Sequence, residues 1–137
     1  MAHALDFASK FVYDSRREGI SVDVCLEPGS RDAVTFAAKI DTGASDCLFE
    51  RQYAELLGIE VETGESRIFS TAVGIFLAYG HHVRIQVLEQ EFDSLVYFFA
   101  DDAIEKNILG RRGWLDRVRL GVIDYEHTLY LSPYSEA

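Results

Sequence analysis

The run Ala33-Val34-Thr35-Phe36-Ala37-Ala38-Lys39-Ile40 leads directly into Asp41-Thr42-Gly43-Ala44-Ser45, and the apolar-acidic step Cys47-Leu48-Phe49-Glu50 follows. Val34, Phe36, Ala38 and Ile40 alternate with Thr35, Ala37 and Lys39, which is the period of a strand with one face buried. A carboxylate therefore stands at the end of a strand, on a glycine-containing turn. In such a turn the Gly lets backbone approach a ligand closely, the Thr hydroxyl can hold the loop by hydrogen bonds, and the carboxylate is fixed at the tip. Average residue usage gives an Asp-(Ser/Thr)-Gly-(small) tetrad by accident in on the order of one chain in a hundred of this length. Its meaning thus depends on what surrounds it.

Upstream, Val22, Val24 and Leu26 share one face of Ser21-Val22-Asp23-Val24-Cys25-Leu26-Glu27 while Ser21, Asp23 and Glu27 share the other, and Pro28-Gly29-Ser30-Arg31-Asp32 supplies turn chemistry. A hairpin delivers the chain to Asp41. Downstream, Arg51 to Leu57 holds good helix formers, with Tyr53, Leu56 and Leu57 able to face inward and Gly58 placed to end the helix. Arg67 to Val87, rich in β-branched and aromatic residues, predicts two strands closed by a turn near Ala72-Val73-Gly74. Leu95-Val96-Tyr97-Phe98-Phe99 is a continuous apolar run that reads as a strand buried on both faces. Ile108-Leu109-Gly110 is an apolar step ending in Gly, and Arg111 to Arg117 reads as helical, with Trp114, Leu115 and Val118 on one side. Leu120–Ile123 and Thr128–Leu131 predict two last strands. Strand, Gly-containing loop and short helix occur in the same order after Val34 and again after Leu95.

With 137 residues, 48% hydrophobic and 12% aromatic, the chain fits one domain able to bury a real core. A net charge of −10 argues against nucleic-acid backbones and anionic membranes as partners, which would repel it, and favours basic substrates. Met1 to Lys10 lacks the basic flank and apolar core of a signal peptide, and no later run approaches a membrane span, so the expected location is cytoplasmic. Cys25 and Cys47 form no zinc pattern and read as reduced thiols. We expect an N-terminal arm and first strand over residues 1–19, the main domain over 20–132 and a tail over 133–137. The first ten residues show no clear pattern and would be ordered only if something holds them.

Two separate motifs in order, Asp41-Thr42-Gly43-Ala44-Ser45 after a strand and Ile108-Leu109-Gly110-Arg111 later, with a hairpin between them, resemble the retropepsin-like aspartic proteases. The resemblance spans roughly residues 20 to 132 and implies a mainly β, single-lobe acid-protease fold, a closed barrel with one or two short helices. It implies an aspartic endopeptidase in which Asp41 is catalytic and meets the Asp41 of a second subunit, so that the active form is a homodimer acting on a peptide or protein substrate, with no cofactor and no metal. By the same resemblance Thr42 bonds across the dimer axis and Gly43 offers its carbonyl to substrate. Ala44, Ser45 and Asp46 line the first pockets, and Ala72, Val73 and Gly74 form a flap that closes over the peptide. Gly110 closes the second loop behind the site, and Arg111 anchors the following helix. In viral members the residue four after the catalytic Asp is usually acidic and pairs with the Arg after the second Gly. Here Ser45 stands there with Asp46 beside it, which leaves the partner of Arg111 open and brings the chain nearer the bacterial and cellular members. A different class of function, a dimeric peptide-binding or scaffolding module of the same fold with little or no turnover, is the alternative.

Other residues carry blander readings. Adjacent strand residues point to opposite faces, so His81-His82 reads as packing or surface and not as a metal pair. Asp93 and Asp101-Asp102 read as solvated turn acids, Trp114 as a core or interface anchor, and Arg111-Arg112 as no phosphate site, because a Gly-rich cradle is missing.

Overall fold

The computed structural model describes residues 1–135, so Glu136 and Ala137 of the expected tail lie outside the described residues. The chain is built from β1 (Ser9–Val12), β2 (Ser21–Leu26), β3 (Val34–Ile40), β4 (Leu48–Phe49), α1 (Arg51–Leu56), β5 (Glu65–Thr71), β6 (Gly74–Val87), β7 (Gln90–Phe99), β8 (Ile108–Leu109), β9 (Val118–Ile123) and β10 (Thr128–Pro133). It is mainly β, as expected.

Seven strands lie in the order β2-β3-β8-β4-β7-β6-β5, and β2 also pairs with β6 through Val24↔Val87, Cys25↔Gln86 and Leu26↔Ile85. That extra pairing closes the sheet into a ring, leaving β5 as an edge. The two short inserted strands do the joining. β8 runs parallel to β3 (Lys39↔Ile108, Ile40↔Leu109) and antiparallel to β4 at Leu48↔Ile108, while β4 runs parallel to β7 at Leu48↔Tyr97 and Phe49↔Phe98. The side-chain alternation of the sequence is what the ring buries. Val22, Val24 and Leu26 are at most 1% exposed, and they share a core with Phe49, Ile85, Phe98, Leu109 and Trp114. At roughly 1.5–3 kcal/mol for each fully buried large apolar side chain, this cluster is the main force holding the ring. A second, smaller core beneath the β5–β6 hairpin gathers Leu48, Phe69, Ala78, Tyr97 and Phe99.

The first residues are held. β1 pairs with β10 from Ser9↔Leu131 to Val12↔Thr128, and β10 pairs with β9, giving a separate three-stranded sheet. Phe7 packs on Tyr130 with ring centroids 5.8 Å apart, and Tyr13 is buried in the main core. β1 lies within residues 1–19, read from the sequence as an arm and first strand, and its ladder to β10 sets its bounds.

Two local expectations are corrected. Within α1, Ala54 is fully buried and Leu56 is 60% exposed. At about 100° of rotation per residue, positions 54 and 56 lie on opposite sides of the helix, and Tyr53 sets the orientation by stacking on Phe36 at 4.1 Å. Gly58, at φ +77°, ends the helix as expected. The helix expected over Arg111–Arg117 is a loop with one 3-10 turn at Leu115–Arg117. Gly113 sits at φ +98°, where a β-carbon would meet the Leu95 carbonyl oxygen at 2.7 Å, and the amides of Arg111 and Arg112 are spent on Ala44 and Ser45. First-turn amides are free in any helix, but with a left-handed residue in the middle and the amides of Leu115 and Asp116 donating five residues back to Gly110 and Arg111, no helical ladder runs through. Trp114 is nonetheless a core anchor, 1% exposed.

Candidate active site

Parallel pairing of β3 with β8 fixes the Asp41 loop from below. The Asp41 amide donates to the Leu109 carbonyl at 2.9 Å, and just past β8 the amides of Arg111 and Arg112 donate back to the carbonyls of Ala44 and Ser45, both at 2.9 Å. Between these ties the loop turns on itself. The Gly43 amide donates to Asp41 Oδ1 at 2.9 Å and the Ala44 amide to the Asp41 carbonyl at 3.1 Å. The carboxylate therefore has one oxygen occupied by its own loop, and it is half-buried while Thr42 and Gly43 are exposed. Among the described residues the Thr42 hydroxyl has no hydrogen-bond partner.

Gly110 explains why the two segments can come so close. A β-carbon there would lie 2.1 Å from the Asp46 carbonyl oxygen and 2.9 Å from that of Ala44. Behind the loop, Glu50 and Asn107 exchange hydrogen bonds, Glu50 amide to Asn107 Oδ1 at 2.9 Å and Asn107 Nδ2 to Glu50 Oε2 at 2.6 Å, so the entry to α1 is tied to the entry of β8.

Asp46 does not face the site. Its side chain is 5% exposed, and its Oδ2 is 3.1 Å from Arg67 Nη1, 3.2 Å from Arg112 Nη2 and 2.8 Å from Ser45 Oγ. A carboxylate taken this far from water needs such partners, and with two guanidinium groups and a hydroxyl on one oxygen it is held in the wall of the fold. Asp46 is thus corrected from a pocket residue to a structural ion. The acid–arginine pairing falls one position along: Asp46 is paired with Arg112 as well as Arg67, while the Arg111 side chain is exposed and forms no ion pair among the described residues. Arg111 contributes through its amide.

An open groove of about 910 Å³ runs past Asp41. Asp41, Gly43, Ala44 and Ser45 line one side, and Ala72 and Val73 at the hairpin tip line another. Gly74 and Thr42 are not among its lining residues. The hairpin is regular, paired from Glu65↔Gly80 to Thr71↔Gly74 around the two-residue turn Ala72-Val73. Its groove-side face carries the cross-strand pair Phe69 and Phe76, which with Phe99 makes the apolar wall. Sequence reasoning missed those aromatics and also Lys39 and Lys106. The signal for Lys39 was present, because counting back by twos from Asp41 gives Lys39 and Ala37 on one face of β3. Phe69 and Phe76 follow in the same way from the turn, once its two-residue register is known.

His81 Nε2 lies 2.8 Å from the Val61 carbonyl oxygen and His82 is exposed, which is the packing and surface reading. Cys25 and Cys47 are both free.

A closed ring of strands, a short parallel insertion carrying an Asp-Thr-Gly loop, and a hairpin facing that loop across a groove define the single-lobe fold of the retropepsin-like aspartic proteases. The chain is similar over 90% of its length to the crystal structure of a retropepsin-like aspartic protease from Rickettsia conorii, covering 98% of that chain with a TM-score of 0.67 at 19% identity. It is also similar to the EIAV protease complexed with the inhibitor HBY-793, with 73% of this chain and 88% of that one covered, a TM-score of 0.54 and 16% identity. No protein-family model matches the chain, and no curated protein matches it in sequence.

Proposed function

We propose that this protein is an aspartic endopeptidase that works as a homodimer. The observation that carries the reading is the position of Asp41: a half-buried carboxylate on a loop tied to β8, open to a groove that the hairpin tip also lines. One carboxylate is half of the machinery. Hydrolysis needs one carboxylate to take a proton from water while a protonated neighbour donates a hydrogen bond to the scissile carbonyl. Two such groups a few ångströms apart cannot both ionise, so they share one proton and titrate together. The sequence contains a single Asp-Thr-Gly, so the neighbour is the Asp41 of a second copy.

In the proposed cycle the water oxygen attacks the peptide carbonyl carbon as its proton passes to the ionised Asp41. The carbonyl oxygen takes the proton of the other. The resulting tetrahedral gem-diol then collapses: one of its hydroxyls returns its proton to the ionised carboxylate as the C=O re-forms, the C–N bond breaks with its electrons leaving on nitrogen, and the protonated carboxyl gives its proton to complete the new amine. The exposed Thr42 faces and the Gly43 backbone would meet across the twofold axis, and the extended substrate would lie between the loop and the hairpin as an added strand.

The test joins assembly to chemistry. Sedimentation should give a dimer, purified protein should cut an unstructured peptide, and Asp41→Asn should abolish cutting while the dimer persists. Cleavage that survives Asp41→Asn removes the proposal, as does a stable monomer that still cuts.

A further inference from the structure

The chain has three lysines, Lys10, Lys39 and Lys106, and two of them line the groove that holds Asp41. Lys39 stands on the exposed face of β3 together with Ala37, two residues before Asp41, which follows the strand's last residue. Alternate strand residues are about 6.5–7 Å apart, so its backbone is one side-chain step from the reactive carboxylate. The Lys39 amide donates to the Asn107 carbonyl at 2.9 Å, and Lys39 pairs with Ile108, which brings the segment carrying Lys106 to the same end of the groove.

The Lys39 stem is seated. Gly19, at φ +71°, leaves room for it: a β-carbon there would meet Lys39 Cε at 2.9 Å, Cδ at 3.0 Å and Cγ at 3.1 Å. The aliphatic part is therefore laid along the Gly19 backbone. Among the described residues, neither lysine has an ion pair or a side-chain hydrogen bond. Glu18 and Glu105 also line the groove, yet neither pairs with a lysine. Three acids, Glu18, Asp41 and Glu105, line the groove as well, so the two lysines are its only cations among the lining residues, in a chain with 23 acidic residues against 13 lysines and arginines.

We infer that Lys39, supported by Lys106, is a specificity-determining residue that selects an Asp or Glu side chain within one or two residues of the scissile bond. The inference rests on the proposed peptide-binding role of the groove. In a dimer each subunit contributes one Lys39, so an acidic side chain on either side of the cut finds one. The net charge of −10 opposes acidic peptides at long range, but that field is screened over about 8–10 Å at physiological salt, whereas a contact inside the groove is not. The two effects separate in a cycle that changes one peptide position and one lysine.

The probes are matched synthetic decapeptides with a central apolar pair, suited to the wall of Phe69, Phe76 and Phe99, and either Glu or Gln at each of the two positions on both sides. Cleavage by wild type is read as kcat and KM, and binding is read by anisotropy with the Asp41→Asn protein. Wild type should prefer Glu over Gln about three- to tenfold at one of these positions, mainly in KM. Lys39→Met should bring the ratio to about one, Lys39→Arg should keep it and Lys39→Glu should invert it. Lys106→Met should reduce it less. A Glu preference untouched by Lys39→Met, or no preference at any position, overturns the inference. Peptides that bind but are never cut defeat the endopeptidase reading and leave the Glu-to-Gln binding ratio to decide this one, while failure of every peptide to bind defeats both.

Discussion

Gly110 and Asp46 pack backbone on backbone: a β-carbon on Gly110 would lie 2.1 Å from the Asp46 carbonyl oxygen and 2.6 Å from its carbonyl carbon. No rotamer change relieves such a contact, because neither partner is the end of a side chain. Gly110→Ala is expected to destabilise the protein by at least about 2 kcal/mol and to abolish cleavage with it, read as a lower urea midpoint. Gly43→Ala is the contrast. Its β-carbon would sit 3.3 Å from Asp41 Oδ1 on an exposed loop, so stability should change by less than about 1 kcal/mol while cleavage falls. Equal midpoints for Gly110→Ala and wild type would contradict the packing.

The buried ion at Asp46 should behave as structure and not as specificity. Asp46→Asn leaves Arg67 and Arg112 without their carboxylate and is expected to cost about 1–3 kcal/mol, less than for a fully buried pair because both arginines reach solvent. Arg67→Met should cost more than Arg112→Met. The Arg67 side chain is 38% exposed against 61%, and its guanidinium also lies over the Phe69 and Tyr97 rings at 5.0 and 5.6 Å. Chemical unfolding of the three variants checks the order, and peptide preference should be the same in all of them.

Alkaline stability should report on Tyr13. Its buried phenol donates to Asp124, and burial first, then that hydrogen bond and the nearby negative charge, push it up from 10 to about 12. The native state holds the proton more tightly than the unfolded chain does. Stability from this contact is therefore fully present below pH 10 and is lost as pH rises through 12. Thermal melts across that window should fall more steeply for wild type than for Tyr13→Phe, and parallel curves would dismiss the contact.

The two thiols should differ in reactivity. Cys47 is fully buried, and burial pushes its thiol up to about 12, so almost none of it is thiolate near neutral pH. Cys25 is partly exposed. A disulfide reagent should titrate one thiol in native protein and two after denaturation. Rapid modification of Cys47 in the folded state would mean that the core around it opens.

Much of the fold and half of the site are legible by counting. Period-two alternation places β2 and β3, the turn residues place the hairpin tip, and the Asp-Thr-Gly loop stands out as a motif in the residues alone. The misses share one cause. Arg111–Arg117 has helical spacing, but Gly113 is held at φ +98° against the Leu95 carbonyl and Ser94, whose distance in sequence hides the constraint. Asp46 reads as a pocket residue because its neighbours are, and only its pairing with Arg67 and Arg112 turns it away. Lys39 is readable from its strand position, whereas Lys106 enters the groove only through the pairing of β3 with β8.

By itself the sequence determined which residues form most of the strands, which faces they bury and where a carboxylate stands on a glycine turn, because these follow from side-chain period and turn chemistry within a few residues. Only the tertiary structure decided that β8 slides in parallel beside β3, that β2 closes the ring on β6, that the first residues join β10, and which charges face the groove. Those outcomes depend on backbone hydrogen bonds and ion pairs between segments remote in the chain. Such partners compete for the same amides and carboxylates, and the winner is set by which packing buries Phe49, Leu109 and Trp114 together.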